Sequence, residues 1–260
     1  LNLSREDLYT HYRSYYQPGN AALCIAGSFD PDQVIPLIKD LFGTIQPGNT
    51  KRQIPEPERS MNGAQTVELT GPEEANFIQV AWRSPNATDP DFFTFTIIES
   101  ILSGPSTLNM FGSGGIGNRT SLLYRNLIEN QLATSVHGSL SATIDPSTYN
   151  LYITCSPDHE PEMVIAAIDK VIDGLLSGRV EKENLNIALK QARANFAYSS
   201  DNVANQAFWM GYSNRFSDYS WFLEYVDRLR QVTAEDVLSV CQQYLVPQRR
   251  VVGFYRGQNV

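Results

Sequence analysis

An α+β fold is predicted by two kinds of periodicity within one chain and by a pattern that returns near its other end. Four runs, Gln65 to Thr70, Asn76 to Arg83, Val136 to Leu140 and Tyr149 to Thr154, read as strands. Between and after them, apolar residues recur every three or four positions, the mark of helices that cover something. The third observation is that Ser4, Tyr15 and Pro18 are matched at identical spacing by Thr233, Tyr244 and Pro247.

The composition fits a folded protein: 260 residues, 42% hydrophobic and only 18% charged. A formal net charge of −8 argues against a nucleic-acid partner or an anionic membrane surface, since either favours a basic patch. No apolar run approaches the roughly 20 residues of a membrane helix. The opening LNLSREDLYTH has neither an initiator Met nor the layout of a signal peptide. The chain therefore reads as a soluble fragment, of the bacterial cytoplasm or periplasm, with its address left open. Cys24, Cys155 and Cys241 are odd in number and lie far apart in apolar contexts, which predicts buried free thiols.

Taken in order, Ser4 and Asp7 form a predicted capping box for a helix running to about Tyr16. Pro18-Gly19-Asn20 breaks it, and Ala21 to Gly27 predicts a short buried strand. Asp30-Pro31 starts a second helix with the stripe Val34, Leu37, Ile38 and Leu41, closed by Gly43. Residues 44–65 are rich in Pro, Gly, Asn and charge without periodicity, and predict a linker. Beyond it come the first two strands, an aromatic-rich helix from Phe92 to Leu102, and a hairpin turning near Asp145-Pro146. Pro161 opens a helix faced by Val164, Ile168, Val171, Ile172 and Leu175 and ended by Gly178. A second stripe is Leu185, Ala188, Leu189, Ala192 and Phe196; further helices cover Asn202 to Asn214 and the Phe222, Tyr225, Val226, Leu229 stripe.

The stretch Gly112 to Val136 joins a glycine-rich turn to a helical pattern. Gly112, Gly114, Gly115 and Gly117 give the backbone latitude for a partner's approach. Leu122, Leu123, Asn126, Leu127 and Asn130 then fall at helical spacing, with Arg125 and Glu129 opposite. Gly112, Gly114 and Gly117 also fit the dinucleotide fingerprint formally, but that motif must follow a strand, and a helical pattern precedes this one.

The matched ends predict two related units: 1–43 as the C-terminal remnant of a first, 44–65 as linker, and 66–260 as a complete second. On this reading, Ala22, Leu23 and Ile25 stand where Val251, Val252 and Phe254 stand in the second unit.

YYQPGNAALCIAGSFDPDQVIPLIKDLFG, the linker, and GNRTSLLYRNLIENQLATSV after an aromatic helix together resemble the pitrilysin-type, inverted-zincin metallopeptidases over nearly the whole chain. The resemblance implies a two-layer α+β domain, a sheet with helices over it, duplicated in tandem. It also implies a zinc-binding HxxEH helix early in the first repeat. His11, His137 and His159 have no second His at that spacing. No catalytic or metal residue is therefore expected here, and zinc belongs to a missing first repeat or to a partner subunit; His11 is expected to pack within its helix layer.

An Arg/Tyr pair that the family's second repeat often supplies falls on Leu127 and Thr134, so the pair is missing. By the same resemblance the glycine loop faces substrate, which makes Gly112, Gly114, Gly115, Gly117, Arg119, Leu127 and Thr134 the candidate substrate-binding residues. The implied function is that of a non-catalytic C-terminal half that closes a chamber over a peptide. The alternative is part of an inactive partner or scaffold subunit that binds peptides or an active peptidase subunit without cleaving. Expected partners are a peptide or unfolded polypeptide, an active or homologous peptidase subunit, and a second copy paired through the free strand edge of residues 1–43.

Overall fold

The computed structural model describes residues 3–48, 63–105, 117–178 and 180–258. In chain order these form α1 (Arg5–Tyr15), α2 (Pro31–Phe42), β1 (Gln65–Gly71), β2 (Phe77–Ser84), α3 (Asp91–Ser103), β3 (Ala133–Ser139) and β4 (Ser147–Cys155). There follow α4 (Pro161–Leu176), α5 (Lys182–Ser200), α6 (Val203–Ser213), α7 (Ser220–Leu223), α8 (Tyr225–Arg230), α9 (Ala234–Tyr244) and β5 (Arg250–Gly257).

The strands make one five-stranded sheet in the order β1-β5-β2-β4-β3. β5 runs parallel to β1 and antiparallel to β2, and β4 lies antiparallel between β2 and β3, so the predicted hairpin forms. Alternation sets the two faces. Ile78, Val80, Trp82, Val136, Tyr149, Leu151, Ile153 and Val252 point to one side and are buried. Against them lie α3, α4 and α9, through Phe95, Ile98, Leu102, Val164, Ile168, Ile172, Val237 and Cys241. Eleven of the 13 residues of α3 are buried, because α5 and α8 pack on the side it turns away from the sheet. The helices that pack on the sheet, α3, α4 and α9, lie on one face, as the two-layer expectation requires.

Local chemistry explains the helix ends. The Asp236 N–H donates to Thr233 Oγ1 at 3.2 Å while the Thr233 N–H donates to Asp236 Oδ2 at 2.9 Å, and Ser4 and Asp7 make the same box on α1. α1 and α9 are each 11 residues long, and each is followed by a Pro-led 3₁₀ turn, Pro18–Asn20 and Pro247–Arg249. Replacing Thr233 by Ala is expected to lower global stability by about 1 kcal/mol. Ser4→Ala should move it less, because α1 buries no residue and opens locally. Urea unfolding of the two variants checks the contrast.

Several expectations are corrected. Residues Ala21 to Gly27 form no strand and are mostly exposed, since a strand needs a ladder partner and no described strand lies beside them. Cys24 is half-buried rather than buried, although Cys155 and Cys241 are buried as expected. α2 forms where predicted, but Leu37 and Leu41 of its stripe are exposed. His11 is exposed, with its ring 4.6 Å from that of Tyr15. The helix expected after the glycine loop is short: it widens into a π turn at Tyr124–Ile128 and ends at Gln131, whose φ of 58° is left-handed.

Candidate functional site

The face of the sheet away from the helices is open, and the strand register lays its side chains out in three straight rows. Across β1, β5, β2, β4 and β3 these are Gln65, Val251, Ala81, Asn150, Ser139; Val67, Gly253, Gln79, Tyr152, His137; and Leu69, Tyr255, Phe77, Thr154, Ser135. No Asp, Glu, Lys or Arg occupies any of these positions, on a chain with 28 acidic and 20 basic residues. Arg83 stands at the margin, opposite Thr148.

The last two rows enclose a trough of about 300 Å³, lined among others by Val67, Leu69, Phe77, Tyr152, Gly253 and Tyr255. Val67 and Leu69 are 49% and 60% exposed, and Tyr152 is 45% exposed. The rings of Phe77 and Tyr255 meet edge-on, 5.9 Å apart. The polar members satisfy one another: the Gln79 Nε2 donates to Asn150 Oδ1 at 3.1 Å, and the Ser135 hydroxyl to Thr154 Oγ1 at 2.9 Å. Arg256, on the opposite face, is held by Glu68 and Glu162; this raises its pKa further and holds Glu162 below the usual carboxylate range. Aromatic rings with little charge suit a surface that buries apolar groups of another chain.

The two buried thiols are poor nucleophiles. Burial, with the charge of Glu162 adding to it, pushes the Cys155 thiol up to about 11, and burial pushes Cys241 up to about 12; both are therefore protonated at neutral pH. Among the described residues no three His, Cys, Asp or Glu side chains gather as metal ligands, so the residues present do not fit a zinc site. No described helix is long and apolar enough to cross a membrane.

The candidates from the sequence fall differently. Gly112, Gly114 and Gly115 lie outside the described residues. Gly117 and Arg119 are exposed on a turn tied to β3 by the Asn118 Nδ2, which donates to the Val136 carbonyl at 3.0 Å. Thr134 sits in a bulge of β3, its hydroxyl donating to the Thr154 carbonyl at 3.4 Å. Leu127 is corrected outright: it is fully buried in the core, with no surface for a ligand. None of these four lines the trough. The aromatic rows were not singled out, although the doubly apolar alternation of FIQVAWRS and STYNLYITC carries the signal: both parities hold large side chains, and only one can face the helices.

Residues 2–192 match the family model described as the peptidase M16 inactive domain. The chain is 21% identical over 251 residues to a probable mitochondrial-processing peptidase β subunit of Arabidopsis thaliana, covering 94% of this chain and 45% of that one. To an uncharacterized zinc protease of Mycobacterium leprae it is 20% identical, covering 94% and 52%. It thus spans about half the length of these curated relatives. A protease from Helicobacter pylori shares the fold, with a TM-score of 0.83 at 17% identity over 98% of this chain and 60% of that one. The chain belongs to the M16, or pitrilysin-type, peptidase family, as an inactive C-terminal domain of that family of zinc proteases.

Proposed function

We propose that this chain forms a non-catalytic wall of a peptide-binding chamber, whose open sheet face holds an extended polypeptide while hydrolysis takes place on another domain or subunit. The observation that carries the reading is the three uncharged rows, five strands wide, on a protein of net charge −8. Strand spacing makes that width roughly 19 Å, enough to cross several residues of an extended chain. The M16 membership supplies the class of ligand.

Residues 1–43 then belong to a preceding homologous unit, with 44–65 as the connection, whose last residue Gln65 already begins β1, and 66–260 as the rest of the wall. The paired capping boxes, equal helices and Pro-led turns support this division. Segment 21–28 stands where β5 stands in the later unit, so its expected neighbours are strands of its own unit or, in a homodimer, of a second copy. Buried Leu127, at the place of the family's arginine, favours a second reading, in which the parent is a partner subunit that binds peptides for an active one. An HxxEH helix encoded ahead of Leu1 separates the two readings.

Tyr152→Asp tests the wall. It puts a carboxylate at the centre of the face, where the ring is now half in water, so the fold should survive. Affinity for a fluorescent, carboxymethylated unfolded polypeptide is expected to fall about tenfold or more, the loss of roughly 1.4 kcal/mol of apolar contact. Unchanged anisotropy titrations with an unchanged melting temperature refute the open face as the binding surface.

A further inference from the structure

Gly253 occupies a central strand position where neither of the usual structural reasons for glycine applies. Its φ is not in the left-handed region, so no turn or bulge demands it. A Cβ built there meets nothing closer than the Gln79 carbonyl oxygen at 3.8 Å, so no neighbour crowds it out. Glycine inside a strand nevertheless weakens it by leaving nothing to pack. What the residue provides at this point is space.

That space has walls. Val67 and Gln79 flank Gly253 across the sheet, Tyr255 and Val251 stand two residues away along β5, and the Phe77 ring closes one corner against Tyr255. The gap between the β1 and β2 side chains is two strand spacings, roughly 9.6 Å from backbone to backbone, which leaves the width of one side chain. Every wall is uncharged.

Resting on the reading of the open face as a polypeptide-binding wall, we propose that the depression over Gly253 is an anchor subsite that accepts one large uncharged side chain, leucine or phenylalanine in kind, from the bound chain. Gly253 is thereby a specificity-determining residue: the missing side chain of the wall is supplied by the ligand. A charged side chain placed there loses its hydration without gaining an ion pair, and a small one leaves the depression empty.

The test fills the depression from below. Gly253→Val adds a β-branched side chain where the strand has room for a Cβ, so melting temperature is expected to hold or rise. The probe is a fluorescein-labelled nine-residue peptide of Ser, Thr and Gln carrying one variable central residue: Gly, Leu, Phe, Asp or Lys. The intact protein is expected to bind the Leu and Phe peptides roughly 10- to 100-fold more tightly than the Gly peptide, the worth of burying one large apolar side chain, and to reject Asp and Lys. Gly253→Val should flatten that preference to within a few-fold. A Gly253→Val protein that keeps the full Leu and Phe preference overturns the anchor while leaving the open face intact, as does a wild-type preference for Asp or Lys. Failure of every peptide and of the unfolded polypeptide to bind overturns both.

Discussion

Trp221→Ala is expected to cost about 4 kcal/mol of folding stability, in the range for deleting a buried tryptophan ring. Trp221 is 2% exposed and lies at the centre of an aromatic cluster, with ring centroids 5.8 Å from Phe92, 5.6 Å from Phe93, 5.1 Å from Phe216 and 5.4 Å from Tyr225. Its indole N–H donates to the Ala87 carbonyl at 2.8 Å, and the Ala87 N–H donates to the Thr143 carbonyl at 2.9 Å. One side chain therefore joins α7, the β2–α3 connection and the β3–β4 turn. Trp221→Phe keeps most of the packing and removes only the donor, for which about 1–2 kcal/mol is expected. Urea unfolding followed by circular dichroism checks both, and equal losses in the two variants would show that the hydrogen bond rather than the ring carries the effect.

Gly138→Ala should be comparably damaging for the opposite reason, too much matter rather than too little. A Cβ at Gly138 lies 2.0 Å from Ser103 Oγ, 2.7 Å from the Tyr149 hydroxyl and 2.8 Å from Ser103 Cβ. Neither neighbour can simply step aside. Ser103 donates to the Glu99 carbonyl at 3.2 Å and shares a 2.9 Å hydrogen bond with Tyr149, which is wholly buried beside Phe95. Burial, with Glu99 adding to it, holds the Tyr149 phenol well above its usual pKa, so it stays neutral and no working pH relieves the contact. The expected loss is about 3 kcal/mol, the upper end for overpacking. Ser103→Gly in the same chain should restore part of it, because it removes two of the three clashing atoms. Thermal melts of the single and double variants decide; a single variant that melts like the wild type means β3 moves freely off α3.

The sequence disclosed what adjacent residues decide and missed what distant ones decide. Ser4 with Asp7 and Thr233 with Asp236 are three residues apart, so the caps could be read directly. Four of the five strands and the stripe of α4 follow from periodicity, and β5 from the matched ends of the chain. Segment Ala21 to Gly27 has the apolar pattern of a strand, but a ladder partner lies outside any window of sequence. Leu127 was placed by resemblance at a ligand position, whereas the π turn and the packing of the short helix point it inward. The open face was hidden because Phe77 and Ile78, or Tyr152 and Ile153, are equally apolar, and only the position of α3, α4 and α9 says which of each pair meets water.

β5 is the last strand in sequence yet takes the second place in the sheet, between β1 and β2. A nascent chain leaving the ribosome can form the β2–β4–β3 part before β5 is made, since all three strands are complete by Cys155 and their ladders need neither β1 nor β5. β1 meanwhile has no described neighbour until Arg250–Gly257 is released. During that interval β1 and the waiting edge of β2 stand apart by one vacant strand, and the apolar side chains on both are exposed to other nascent chains. Such long-range closure is slow compared with helix formation. Synthesis order therefore leaves the sheet open until β5 is made, and a chain stopped shortly before Arg250 is expected to aggregate where one continued through Gly257 stays in solution.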